Sequence, residues 1–199
     1  MVSGKLKESF NRWIENEAKI LHSFGFSPNR VTVLGLLLSL SSAGFYLSWR
    51  TSPVFLPCAG LLLLFSGLFD ALDGALARRF GSATAFGGFL DSLLDRYSDA
   101  AVLSALILGG LCDPVWGLLS LTGSLLVSYS RARAEMEGVK MASVGFAERA
   151  ERMLLVAFLS LISPLWGDSL WWGTVALALV THGTVAQRAF YFYRSKKAA

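Results

Sequence analysis

The sequence predicts an all-α integral membrane protein: six transmembrane helices preceded by an N-terminal amphipathic helix on the membrane surface. Three observations predict it. Uncharged apolar windows recur along a chain that is 54% hydrophobic. Nearly all the basic residues gather on one side of those windows. Most of the tryptophans gather on the other. A soluble core of this size would need far more polar covering, and a charge of +4 reads as membrane orientation rather than as nucleic-acid binding.

Residues 1–28 come first. Leu6, Phe10, Trp13, Ile14 and Leu21 recur near helical spacing, with Lys5, Lys7, Glu8, Arg12, Glu15 and Lys19 between them. This pattern suits a helix lying on the cytoplasmic surface, and it lacks the apolar core of a cleaved signal peptide. The Ser27-Pro28-Asn29 run then reads as a cap with proline opening the first span.

Residues 29–199 form the transmembrane domain. Uncharged windows cover Val31–Trp49, Thr51–Phe69, Ala100–Cys112, Pro114–Ser130, Met153–Gly167 and Ser169–Gln187. A helical crossing takes about 20 residues. The third and fifth windows are too short, so those helices extend back through Asp91, Asp95 and Asp99 and toward Arg149. The spans are then 29–49, 54–79, 85–110, 114–136, 147–164 and 169–194. Backbone groups in lipid must bond internally, so each crossing is expected to be helical.

With six spans, the connections near Arg50, Cys112–Asp113 and Pro164–Asp168 share one side. Of 18 Lys and Arg, only Arg50 falls there, so the opposite face, with both termini, is expected to be cytoplasmic. Trp49, Trp116, Trp166, Trp171 and Trp172 flank the outer connections as an interfacial belt. Cys58 and Cys112 lack metal-ligand spacing and read as free packing residues. No internal repeat or low-complexity segment stands out.

The chemistry concentrates in Phe69–Asp95. Asp70 and Asp73 are three apart and share a helix face; Asp91 and Asp95, four apart, share another. A short glycine-containing link joins the two helices, so the four carboxylates can converge just inside the cytoplasmic surface. Packed like charges repel and are costly near lipid. A cation resolves both problems, and all-oxygen ligands favour Mg²⁺, Mn²⁺ or Ca²⁺ over zinc. Four carboxylates can hold two divalent ions, the arrangement that clamps attacking and leaving oxygens in phosphoryl transfer. Gly74 lets a ligand approach the backbone, Gly87 clears the face that carries Asp91, and Arg78 offsets diphosphate charge.

The pattern Asp70-x₂-Asp73-Gly74-x₂-Ala77-Arg78-x₈-Gly87-x₃-Asp91-x₃-Asp95 resembles the full signature of the CDP-alcohol phosphotransferase family, with every fixed position at its spacing. The resemblance extends to a surface helix, six spans and the motif on spans two and three. It implies that an alcohol attacks a CDP-linked lipid at the phosphorus nearest the lipid and that CMP leaves. It also implies that Asp70, Asp73 and Asp91 bind metal, with two Mg²⁺ expected and Mn²⁺ as a substitute. Asp95 is then both a metal ligand and the general base. Gly74, Arg78 and Thr84 match positions that hold the CDP moiety, and Asn29 and Thr32 match a segment that touches the nucleotide. Helix capping is an alternative role for Asn29. The family further implies a homodimer, although no decisive dimer motif is visible.

The acceptor is read from Ser128–Leu155 and the last span. Arg131, Arg133, Arg149 and Arg152 lie in this stretch and Arg188 near the cytoplasmic end of the last span; arginines close to a membrane cavity suit a phosphate, which they bind bidentately. Marking the cytoplasmic side is the competing role for such arginines, and the preferred one for Arg194, Lys196 and Lys197. The run from Arg131 to Arg152 resembles the branch that accepts inositol phosphate. By position, Arg131, Arg152 and Arg188 would hold that phosphate, leaving the choice between Arg149 and Arg152 open. Glycerol phosphate is the competing acceptor, and serine offers no phosphate to these arginines. The lipid donor can carry diacylglycerol or archaeol, since both tails meet only apolar side chains. A divalent-cation transporter would need carboxylates along its path, whereas these cluster at one end. His182 is expected to be a hydrogen-bonded packing residue.

Overall fold

The computed structural model describes residues 2–141 and 144–197, with side chains from residue 12 onward. The described residues form seven α-helices and no strand: α1 (Val2–Ser23), α2 (Pro28–Ser48), α3 (Phe55–Arg79), α4 (Ala85–Leu108), α5 (Pro114–Met136), α6 (Arg149–Ile162) and α7 (Ser169–Lys197). A 3₁₀ turn, Trp49–Thr51, continues α2. Two stretches, Pro28–Thr51 and Phe55–Arg79, are long and apolar enough to cross a membrane.

Helix ends follow local chemistry. Pro28 opens α2, but the Ser27 hydroxyl makes no cap bond, so the expected serine cap is backbone geometry alone. Arg78 and Arg79 occupy the last turn of α3, where the helix dipole favours cations. Gly81 then takes a positive φ of 60° and turns the chain. Thr84 caps α4 by accepting the Gly87 N–H at 2.9 Å. Asp113 caps α5 by accepting from Val115 and Trp116, with Pro114 in the first turn. Glu148 and Glu151 form a capping box on α6.

α6, the expected fifth span, is shorter than its expected range of 147–164. Its 14 residues extend about 21 Å at 1.5 Å per residue, less than the ~30 Å hydrocarbon thickness. The segment before it is held by α7: Thr184 accepts the Phe146 N–H at 3.2 Å, and Arg188 Nε donates to Val144 O at 2.7 Å.

α2 packs on α3 and α4, α3 on α6, and α5 on α7. Tyr46, Leu63, Val102, Leu103, Leu106, Val156 and Leu177 fill the centre. Ile14 and Ala18 bury against Val31, Leu72, Ala75 and Leu76, seating α1 on α3. The positions Leu6 and Phe10 of the expected apolar stripe lie outside the described side chains, as do Lys5, Lys7 and Glu8. Large apolar residues remain exposed on α2 to α7, among them Leu37, Phe65, Leu108, Leu118, Phe158 and Leu179.

Hydroxyls stitch the helices together. Ser39 meets Ser98 at 2.5 Å and Tyr46 meets Ser160 at 2.6 Å. Ser42, Ser66 and Ser120 donate across helices to the carbonyls of Ala59, Gly35 and Thr174. Such bonds and small residues drive helix association where apolar burial cannot. Gly60 is one such contact: a Cβ there would stand 2.7 Å from Ala157 O, so α3 and α6 touch backbone to backbone. At the end opposite the aspartates, Trp49 Nε1 donates to Gly109 O at 2.8 Å, joining the first two connections of that end. His182 Nε2 lies 3.2 Å from Leu119 O, in keeping with a packing role. Cys58 and Cys112 are free thiols.

Candidate active site

Residues 80–84 reverse the chain, so the last turns of α3 lie beside the first turns of α4. Each of Asp70, Asp91 and Asp95 presents one oxygen, and these oxygens lie within 4.8 Å of one another. Asp73 is not part of that trio. It is only 6% exposed and lines the same small cavity as Thr32, Asp70 and Asp95. Asp91 Oδ1 and Asp73 Oδ2 are buried without a hydrogen-bond partner. Orphaned carboxylate oxygens of this kind need a counterpart, and an all-oxygen donor set fits a hard divalent cation.

Two arginines engage the cluster, and a third stands behind them on Asp99. Arg149 Nη1 lies 3.1 Å from Asp70 and 2.8 Å from Asp95, while its Nε donates to Asp99 at 3.1 Å. Arg96 Nη1 is 3.2 Å from the other oxygen of Asp95, and its Nη2 donates to Ser128 on α5 at 2.9 Å. Arg152 Nη2 reaches Asp99 at 3.4 Å. Both oxygens of Asp95 therefore face a guanidinium.

The positions expected to hold CDP fall in two groups. The Arg78 guanidinium folds over Gly74: a Cβ on Gly74 would stand 3.1 Å from Arg78 Nη1. Asn29 Oδ1 and Thr84 Oγ1 would each stand 3.0 Å from a Cβ on Gly87, so α2, the link and α4 meet there. Thr84 caps α4 as well. Thr32 Oγ1 donates to Pro28 O at 3.0 Å while lining the aspartate cavity. The N-cap position of α2, Ser27, makes no side-chain cap bond, and Asn29 Oδ1 lies on the Gly87 side of the helix end.

The five acceptor arginines do not converge on one point. Arg131 and Arg133 are exposed and pair with Glu135 and Glu137, each at 2.9 Å, along α5. Arg149 lies on the aspartates. Arg152, 1% exposed, bonds Asp99 and Ala147 O. Arg188, 3% exposed, donates to Val144 O and Val127 O. Arg131 and Arg152 remain within electrostatic reach of Arg188.

Sequence reasoning gave no role to Asp99, Arg96 or Ser128. Asp99 was detectable, standing one turn beyond Asp95 on the same helix face. The i,i+4 pairing of Arg131 and Arg133 with glutamates was also in the spacing.

Residues 26–182 match the family model described as CDP-alcohol phosphatidyltransferase, and the chain belongs to this membrane-embedded family of transferases. Archaetidylinositol phosphate synthase of Pyrococcus horikoshii is 39% identical over 97% of this chain and 96% of its own length. Phosphatidylinositol phosphate synthase of Mycobacteroides abscessus is 33% identical over 94% of this chain and 87% of its own. Among solved structures, the phosphatidylinositol phosphate synthase of Mycobacterium tuberculosis with CDP-DAG bound superposes with TM-score 0.80 at 32% identity, covering 92% of this chain and 94% of that one. The same enzyme in complex with manganese and citrate gives TM-score 0.79 at 32% identity, covering 90% and 88%.

Proposed function

We propose that this chain transfers the phosphatidyl-type group of a CDP-linked lipid, CDP-diacylglycerol or CDP-archaeol, to inositol 1-phosphate and releases CMP. The observation that carries this reading is the carboxylate trio Asp70, Asp91 and Asp95 at a helix pair bearing the family signature. The names of the Pyrococcus and Mycobacteroides relatives support an inositol phosphate acceptor. CDP-DAG in the Mycobacterium structure supports the donor class.

In this reading a hydroxyl oxygen of inositol phosphate forms a bond to the phosphorus nearest the lipid. The bond from that phosphorus to the oxygen shared with the CMP phosphate breaks, and CMP leaves with the electron pair. Asp95 accepts the hydroxyl proton. Asp70, Asp73, Asp91 and Asp95 would hold two Mg²⁺, or Mn²⁺ in their place. When bound, the ions supply charge neutralisation at the diphosphate. Gly74 and Arg78 flank the diphosphate, while Asn29, Thr32 and Thr84 line the nucleotide side. Arg131, Arg152 and Arg188 form the cationic group for the acceptor phosphate. Arg149 bridges that group to the aspartates, and Arg133 stands at its outer edge.

Residues 29–199 form the catalytic domain in this proposal, with α2 to α7 as six spans. Residues 1–28 lie on the cytoplasmic membrane surface. Both termini and the site face the cytoplasm, and the active form is a homodimer. The test is CMP release from CDP-lipid in proteoliposomes with a panel of acceptors. Inositol phosphate should react, and free inositol should fail. Faster turnover with glycerol 3-phosphate would reassign the acceptor while leaving the reaction class. Metal flux with no CMP release would overturn the enzyme mechanism.

A further inference from the structure

We infer that Asp99 is a positioning residue for the acceptor phosphate, holding Arg149 and Arg152 side by side between the aspartate cluster and the cationic group. This rests on the proposed reading of the acceptor as a phosphorylated polyol.

Asp99 lies outside the spaced signature, yet it is 1% exposed and surrounded on α4 by buried Ser98, Val102 and Leu103. A carboxylate in such a place is costly unless it is paired and hydrogen-bonded. Its two oxygens are shared between two arginines: Oδ1 accepts from Arg149 Nε at 3.1 Å and Oδ2 from Arg152 Nη2 at 3.4 Å. Those arginines are three apart on α6, so one carboxylate fastens a whole face of that helix to α4.

The charges explain why a fastener is needed. Arg152 feels the positive charge of Arg149 and Arg96, and Arg188 feels that of Arg131 and Arg152. Unopposed, these guanidiniums would spread apart. Glu135 and Glu148 are exposed, whereas Asp99 stands within the group. Asp99 also divides the attention of Arg149, whose Nη1 already reaches Asp70 and Asp95. Without Asp99, the charged partners of Arg149 here are Asp70 and Asp95, and Arg152 keeps the carbonyl of Ala147. Arg152 Nε is buried without an acceptor, so the pair is not saturated by protein groups and retains donor capacity for an anion.

The test is Asp99→Asn in the full chain, reading steady-state constants for each substrate, calorimetric binding of inositol 1-phosphate, and thermal stability. The Asn side chain keeps the shape but loses the charge. The KM and binding constant for inositol 1-phosphate should rise about 10- to 100-fold, with the KM for CDP-lipid within about twofold. The cycle of Asp99→Asn with Arg152→Gln should be strongly non-additive on the acceptor KM. An unchanged acceptor KM overturns the inference, as does a loss shared by both substrates in step with a lower Tm. If Asp99→Asn does not fold, the matched pair Asp99→Asn/Arg152→Gln replaces the ion pair with neutral amides. That variant is compared with Arg152→Gln alone: an acceptor KM close to that single variant's is expected, since Asp99 acts through the arginine, and a loss that simply adds to it overturns the inference. If wild-type protein prefers glycerol 3-phosphate, the split is read with that acceptor. Use of an uncharged alcohol alone would defeat both readings, whereas a wild type that uses a phosphorylated acceptor beside an unaffected variant defeats this one alone.

Discussion

Replacing Gly74 with alanine should separate stability from function. The new Cβ would stand 3.1 Å from Arg78 Nη1 and 3.7 Å from Arg78 Cζ and Nη2, so its three nearest contacts all belong to one guanidinium. Ordinary carbon contacts begin at about 3.5 Å, so the guanidinium has to retreat by a few tenths of an ångström. Arg78 is exposed and flexible, and the backbone of α3 need not move. Glycine inside a helix costs about 1 kcal/mol relative to alanine, so the substitution should hold or raise thermal stability. If Arg78 holds the CDP diphosphate as proposed, its displacement removes a charge-assisted bond of about 1.5–3 kcal/mol. That corresponds to roughly 10- to 100-fold in the KM for CDP-lipid. The assay is CMP release against CDP-lipid concentration, with Tm measured on the same preparation. A CDP-lipid KM within about twofold of wild type would refute the placement of Arg78 at the diphosphate. A fall in Tm would refute the reasoning about space.

Other substitutions test other parts of the site. Asp95→Asn should retain CDP-lipid binding while turnover falls about 10²- to 10⁴-fold; retention of half the wild-type rate would assign the proton to another group. Arg188→Ala should raise the acceptor KM and spare the CDP-lipid KM, since Arg188 stands among Arg131 and Arg152 rather than beside Gly74. Gly60→Ala should lower Tm without a substrate preference, because the Cβ meets the Ala157 carbonyl at 2.7 Å and neither helix backbone can yield. Overpacking of this kind costs about 1–3 kcal/mol, readable as a thermal shift in detergent.

The helices were legible because their ends carry chemistry. Pro28 and Pro114 open two of them, Gly81 breaks the third, and charges bound the apolar windows, so helix limits fall within a few residues of those expected. α6 also falls within two residues of its expected range at each end, but the tie of its N-terminal flank to Thr184 and Arg188 on α7 is a tertiary arrangement without local signal. The aspartates were legible in part: Asp91 and Asp95, four apart on α4, meet Asp70 of α3 across the short link. Asp73 lies outside the trio while lining the same cavity as Thr32, Asp70 and Asp95, and no pattern within α3 dictates that. The arginines were the least legible. Arg149 and Arg152 share one face of α6, and only the packing of that helix on α3 decides which one reaches Asp70 and Asp95. Serines such as Ser39 and Ser66 look bland in the sequence, since their partners lie on other helices.

Those serines have a consequence for how the catalytic centre keeps its shape. Ser66 clamps α3 to Gly35, four residues before Asp70, and Ser98 clamps α4 to Ser39, three residues after Asp95. Both clamps grip α2, so the carboxylates of two helices are levelled against a third like marks on a common ruler. A slide of one residue along either helix would break its clamp before it could misalign the oxygens. Such bonds owe nothing to the medium outside the bundle, unlike an assembly that coheres by expelling water. The alignment should therefore survive exchange of a thick bilayer for a thin one, or of lipid for micelle.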